Sequence, residues 1–394
     1  MNYKFLRMVQ IGILLLGIFV LFNFNAGVAT AQACSGGTIQ ETLPTDATWT
    51  LCWEHRAEEG VVLSNIFYTT PTNIKRKVLK EAGLAQIHSP FNDNSERNHY
   101  VTEQGLGDTS LVPLTSANCP DGTLIQHDGV NILCSMIENR GYIYKYKSSQ
   151  RQGYYLTLFS VSNMNGQHFI VRWRFYDDGS IEPSIGSTGV VSRRSTDARY
   201  GWPIQNNSDI GVGYVNNYYW RLDFDIGENG SNDIIEEFNI ASTNSGSEKS
   251  LTVSKLSSET SRSVDAQQKR SWRVRDGSIT NTDGHAVSYH LEPMQMGNRY
   301  VGPNNEPWTA NDLFVTKHQP CERFVSQNST ADGCGADVSQ FVNGENIDGA
   351  DLVLWYRISY HHLPRSEYQP YIPLHWDSFV LMPRDWTATN PIVN

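Results

Sequence analysis

The sequence predicts a mainly β fold, a large antiparallel β-sandwich. Three observations point to it. Short β-branched and aromatic runs recur along the chain between Gly, Asp and Asn turn signals. No apolar 3.6-residue periodicity persists beyond about two turns. No strand–helix alternation appears, so a parallel sheet would lack its crossover helices. The 394 residues, 39% of them hydrophobic, supply enough apolar surface for a large core. Residues 45–394 are read as one domain.

The strongest elements lie between Gly153 and Asp233. Gln167-His-Phe-Ile-Val-Arg-Trp-Arg-Phe-Tyr176 runs into the turn signal Asp178-Gly179. Tyr214-Val-Asn-Asn-Tyr-Tyr-Trp-Arg-Leu-Asp-Phe-Asp-Ile226 runs into Gly227-Glu-Asn-Gly230. Upstream, residues 48–70 alternate apolar and polar around Trp49, Leu51 and Trp53, which predicts two strands joined by the charged turn His55–Gly60. Lys75–Ala85 has helical character, and Asn92–Glu103 is polar and loop-like. Strands are expected at Ser110–Leu114, Thr123–Gln126, Asn131–Met136, Tyr142–Tyr146 and Tyr154–Val161. Further strands are expected at Gly189–Val191, Ser250–Val253, Trp272–Val274, Val287–Leu291, Asp312–Lys317 and Val353–Ser359. Ser242–Ser263 is Ser-rich, an excursion loop or a solvated hairpin. Tyr218-Tyr-Trp220 has the composition of a sugar-stacking platform, although core aromatics are the simpler reading.

Residues 1–31 read as a secretory signal peptide. Lys4 and Arg7 precede an apolar run, Ile11–Phe24, and small residues follow at Ala29-Thr-Ala31 and Ala31-Gln-Ala33. The run is short for a membrane span, and the Ala-Gln-Ala before Cys34 lacks the Leu of a lipoprotein cleavage box. Removal takes two positive charges, so the net charge moves from −10 to −10 − 2 = −12. No basic patch suits nucleic acid or anionic lipid, and no membrane contact is expected after cleavage. The expected destination is extracellular or periplasmic. There the six cysteines are expected to pair sequentially as Cys34–Cys52, Cys119–Cys134 and Cys321–Cys334. No C-x-x-C favours zinc instead. Sequons at Asn206, Asn229 and Asn328 fit surface loops. No Gly-x-Ser-x-Gly elbow occurs, and the pair His361-His362 is a weak metal signal.

Several motifs in order carry a family resemblance: Glu58-Glu-Gly-Val-Val-Leu63, Gly105-Leu-Gly-Asp108, Asn131-Ile-Leu-Cys134, Asp178-Gly-Ser-Ile-Glu182, Gly186-Ser-Thr-Gly189, Arg221-Leu-Asp-Phe-Asp-Ile226, Asp312-Leu-Phe-Val-Thr316, Asp348–Trp355 and His362-Leu-Pro-Arg-Ser-Glu367. From Trp49 to Val393 the chain resembles the C-terminal catalytic domain of copper amine oxidases, without the accessory domains that precede it in typical members. The resemblance implies the family's β "supersandwich", a homodimer, and oxidation of primary amines by copper and topaquinone. It also implies where the machinery falls. The quinone-forming Tyr position is Gln167, with Gly166 in place of the preceding Asn. The catalytic Asp position is Tyr100, and the quinone-contacting Tyr position is Phe91. The His-x-His copper pair falls on Tyr214 and Asn216, and the third copper ligand is kept as His362. Glutamine cannot become a quinone, and one imidazole beside an amide and a phenol suits copper(II) poorly. His168 adjoins Gln167 but faces the other way on a strand. Copper and topaquinone are therefore not expected. A structural cation site is implied at Asp223, Asp225 and Asp351 with the carbonyls of Phe224 and Leu352, a hard oxygen set suited to Ca²⁺.

These departures favour a secreted binding or scaffold protein for an unknown small-molecule or protein ligand. The alternatives are an enzyme that reuses the old pocket through Tyr100, Gln167, Asn216, His168 and His362 for chemistry without the quinone, and a retained amine oxidase.

Overall fold

Strand alternation places Gln167, Phe169, Val171, Trp173 and Phe175 on one buried face of the strand Gln167–Tyr176, with half-buried residues between them. The same rule, applied strand after strand, builds two antiparallel sheets whose apolar faces meet. A computed structural model describes residues 34–205, 208–227, 229–242, 248–294 and 299–393. The signal-peptide reading and the sequon at Asn206 lie outside them. Among the described residues, no helix is long and apolar enough to cross a membrane.

One sheet has the path Gly37–Thr42, Thr48–Arg56, Gly60–Thr69, Lys75–Ser89, Tyr214–Phe224, Leu352–His362, Leu313–Lys317 and Thr260–Arg262, with the short strand Asn98–His99 beside Lys75–Ser89. Its first strand precedes residue 45, where the domain was expected to begin. The second sheet places Gln167–Tyr176 and Ile181–Gly189 beside Ser149–Met164, Val130–Tyr146 and Val380–Arg384. Aromatic residues join the two. Trp49 lies 5.0 Å from Phe175, and Trp173 meets Trp220 edge-on at 5.1 Å. The Trp49 indole donates to Tyr176 O at 2.9 Å, and the Tyr68 hydroxyl to Asp177 O at 2.8 Å. Tyr218 and Trp220 point into this core. Tyr219 points the other way, into a second core on the outer face of the first sheet with Trp308, Phe341 and Trp355. All three side chains are buried, which removes the sugar-platform reading.

Four expectations are corrected. Lys75–Ala85 is not helical but part of the strand Lys75–Ser89. Its second half is buried on both faces, and register shifts interrupt its pairing with Tyr214–Phe224, so the period-2 signal is lost. Asn131–Met136 and Tyr142–Tyr146 belong to one strand, Val130–Tyr146, interrupted by register shifts. Ser110–Leu114 is not a strand; Asp108–Ser110 is a short helical turn, and Leu111 makes an isolated bridge to Ser162. Asn328 is buried, and its amide bonds Phe324 O and Ala336 O, so it is no exposed sequon. Within the Ser-rich stretch, Lys249–Lys255 is an exposed edge strand paired with Asp233–Ser242, the hairpin option, with Lys at each end. All three expected disulfides are present.

The turn at Gly179 joins two central strands of the second sheet. It has φ +90°, and a Cβ there would lie 2.7 Å from the Tyr68 ring. Gly179→Ala should therefore lower the unfolding free energy by about 1–3 kcal/mol. Urea unfolding measures this, and an unchanged midpoint would show that the turn and Tyr68 yield freely.

Candidate functional site

Antiparallel pairing of Tyr214–Phe224 with Leu352–His362 sets Tyr214 opposite His362 and Asp223 opposite Val353. Two clusters follow, one at each end of this strand pair. At the first end the Tyr214 ring stacks on the His362 imidazole, centroids 4.5 Å apart and planes 9° apart. Tyr360 meets the same imidazole edge-on at 4.6 Å. Asn216 Nδ2 lies 3.2 Å from His362 Nε2. In this orientation the amide nitrogen donates and Nε2 accepts. His362 Nδ1 is buried without a hydrogen-bond partner.

Asn216 is held from several sides. Ser89 Oγ donates to its Oδ1 at 2.6 Å, and its Nδ2 also reaches Tyr218 OH at 2.9 Å and Ser187 Oγ at 3.3 Å. His362 is fully buried and Asn216 is 1% exposed. Burial, with smaller effects from His375 and His361, lowers the His362 pKa to about 3. The nearby imidazole of His375 stacks on Tyr360 at 3.5 Å and sits 3.2 Å from Asp377 Oδ1. It is committed elsewhere.

The remaining predicted positions border this cluster. Phe91 contacts the Tyr214 ring at 5.5 Å and bridges its backbone. Tyr100 packs edge-on against Phe169 at 5.1 Å, and burial raises its pKa to about 12. Gln167 faces the core beneath Phe169 and donates from Nε2 to Val190 O at 2.6 Å. His168 is on the opposite face of its strand, as alternation requires. The structure thus brings Phe91, Tyr214, Asn216 and His362 into contact. Tyr100 opens the short helical turn Tyr100–Gln104, and Gln167 begins the strand Gln167–Tyr176 of the second sheet. Sequence reasoning missed Ser89, Ser187 and Tyr218. Ser187 lay in the quoted Gly186–Gly189 motif, but its bond to Asn216 joins the two sheets and has no local signature.

At the opposite end, Asp225 and Asp351 lie side by side although far apart in sequence. Lys77 Nζ takes Asp225 Oδ2 and Lys80 Nζ takes Asp351 Oδ2, each at 2.8 Å. Their Oδ1 atoms are buried without a hydrogen-bond partner, and both lie within 3.6 Å of where a Cβ on Gly230 would stand. Asp233, absent from the sequence reading, is fully buried beside them. Burial chiefly, together with Asp225, Asp276 and Asp351, pushes its pKa up to about 9. Asp223 Oδ2 lies 3.4 Å from both Arg221 and His318, and its Oδ1 is likewise buried without a hydrogen-bond partner. Orphaned buried carboxylate oxygens beside a glycine fit a hard cation. The available oxygens come from Asp223, Asp225, Asp233 and Asp351. The tyrosine, amide and single imidazole of the first cluster do not fit copper.

The family profile described as copper amine oxidase, enzyme domain, matches residues 124–394. The chain belongs to the copper amine oxidase family. It is 24% identical to the copper-containing amine oxidase alpha 2, peroxisomal, of Arabidopsis thaliana, covering 88% of this chain and 59% of that protein. It is 23% identical to the histamine oxidase of Arthrobacter globiformis, covering 88% and 56%. The fold superposes on a copper-containing benzylamine oxidase from Hansenula polymorpha with a TM-score of 0.75 at 14% identity, over 89% of this chain and 62% of that one. The amine oxidase of Aspergillus nidulans gives 0.74 at 20% identity, over 88% and 52%. This copper amine oxidase family chain therefore spans less than two thirds of the length of these relatives.

The buried His362 makes a pH prediction. Its folded pKa lies below its unfolded value near 6.5, so the unfolded chain takes up the proton first as pH falls. The stability tied to the neutral ring is complete above about pH 6.5 and is lost towards about pH 3 at up to about 1.4 kcal/mol per pH unit. Urea unfolding from pH 7 to pH 4 should be less steeply pH-dependent in His362→Gln than in the natural chain. Equal slopes would show that the ring is hydrated.

Proposed function

We propose that this family member is an exported binding or scaffold protein that has lost topaquinone-dependent oxidation of primary amines. The carrying observation is the Tyr214–Asn216–His362 cluster. The positions that the resemblance assigns to copper ligands are a phenol stacked on the remaining imidazole and an amide packed against its Nε2, so one imidazole stands where three would be needed. Gln167 adds to this reading, because an amide side chain has no phenol to oxidise. Tyr100 has no carboxylate with which to abstract a proton. The burial of His362 and Asn216 also speaks against chemistry in the old pocket. Export is supported by three disulfides, which persist in oxidising compartments. The ligand is a small molecule or a protein, and the assembly is a homodimer.

Purified protein incubated with copper and oxygen should show no quinone absorbance, bind well below one tightly held copper per chain and release no peroxide from primary amines. Light scattering on the same sample should give twice the chain mass. Quinone absorbance with peroxide release would overturn the loss of oxidation, and a monomeric mass would overturn the dimer.

A structural Ca²⁺ held by Asp223, Asp225 and Asp351 with the carbonyls of Phe224 and Leu352, and with Asp233 beside them, completes the reading. It would neutralise the crowded carboxylates. Calcium should raise the unfolding temperature of chelator-treated protein by a few degrees. Asp351→Asn should remove that shift. A calcium shift that persists in this variant, or none in the natural chain, would exclude the site.

A further inference from the structure

The two faces of the strand Tyr214–Phe224 carry different chemistry. Asn216 points inward to His362, and Asn217, one residue on, points outward to His88, with Nδ2 3.3 Å from His88 Nδ1. On that outer face three potential ligands converge. His88, His99 and Glu306 each offer one ligating atom, all within 4.8 Å of one another. His88 Nε2 lies 3.7 Å from a Glu306 carboxylate oxygen. His88 is fully buried and Glu306 is 9% exposed. His88 Nε2 and Glu306 Oε2 are both buried without a hydrogen-bond partner.

We propose that His88, His99 and Glu306 form a binding site for a divalent transition-metal ion of the zinc class. Two imidazoles and one carboxylate are a common zinc donor set, and three protein ligands leave a fourth position for solvent. Zinc bonds of about 2.0–2.2 Å would draw the ligand atoms to roughly 3.4 Å apart. The His88–Glu306 pair is already close to that. His99 Nδ1 sits 3.1 Å from Glu103 Oε1, an outer carboxylate that fixes the ring and leaves Nε2 for metal. Metal on His88 Nε2 puts the ring proton on Nδ1. An end-for-end turn of the Asn217 amide then supplies Oδ1 as its acceptor and points Nδ2 at Ser359 Oγ, which now accepts, in exchange for the present Nδ2 donation to His88 O at 3.3 Å. Trp308 closes the floor, 4.8 Å from the His88 ring. Arg97 competes for Glu306, with Nε 3.2 Å from Oε2, but a carboxylate oxygen has two lone pairs. The site is separate from both clusters described above.

The test uses the full exported chain stripped with chelator and titrated with Zn²⁺ by calorimetry, with bound metal counted after desalting. One tightly bound equivalent is expected, unaffected by excess Ca²⁺ and retained in His362→Gln. His99→Ala and Glu306→Gln should each weaken zinc binding beyond the ~10–100-fold typical of losing an outer partner. Their metal-free unfolding midpoints, recorded alongside, separate ligand loss from misfolding. His99 is partly exposed, so its replacement should leave the fold intact. Cobalt(II) substituted for zinc should give visible bands that disappear in His99→Ala. Absence of a tight equivalent in the natural chain, or its survival in folded His99→Ala and Glu306→Gln, would overturn the site.

Discussion

The pairing of Tyr214–Phe224 with Leu352–His362 is the constraint on which both candidate clusters depend. In this register the first strand's start meets the second strand's end, so Tyr214 faces His362 while Asp225 and Asp351 share the opposite end. A slip of one residue would reverse every side chain on one strand. Asn216 would leave Ser187 and His362, and Trp220 would leave Trp173. Two cores oppose that slip. The inner one holds Tyr218, Trp220 and Leu222, and the outer one holds Tyr219, Val353 and Trp355.

Within this frame the cluster at Tyr214 is a packed centre of neutral side chains, in which Asn216 is fully engaged while Tyr214 OH and His362 Nδ1 lack hydrogen-bond partners. Asn216 alone contacts groups from four strands: Ser89, Ser187, Tyr218 of its own strand, and His362. A buried amide is costly unless its donors and acceptor are used, and here they are. The acidic end behaves differently. There, lysines satisfy one oxygen of Asp225 and of Asp351 and leave the other oxygens and Asp233 crowded. Like charges in a buried setting call for a cation or a proton. The same sheet thus carries one cluster of neutral side chains and one that retains a demand for charge.

Fold class was legible in the sequence because the period-2 pattern of strands such as Gln167–Tyr176 is local. Lys75–Ser89 escaped that reading because both of its faces are covered and register shifts break its rhythm. The Gly179 turn and the sequential disulfides were likewise legible, since each depends on nearby residues. The cluster residues Phe91, Tyr214, Asn216 and His362 came from motif resemblance. Their mutual contact could not come from spacing.

By itself, then, the sequence determined the sheet-forming pattern, the turn chemistry, the cysteine pairs and the residue types available to each cluster. Those are properties of short stretches or of single side chains. Only the tertiary structure decided that Asn216 lies against His362 Nε2, that Asp233 joins Asp225 and Asp351, and that His88, His99 and Glu306 converge. Each of these depends on strand register or on a loop folded over a sheet face, which brings together residues tens to hundreds of positions apart.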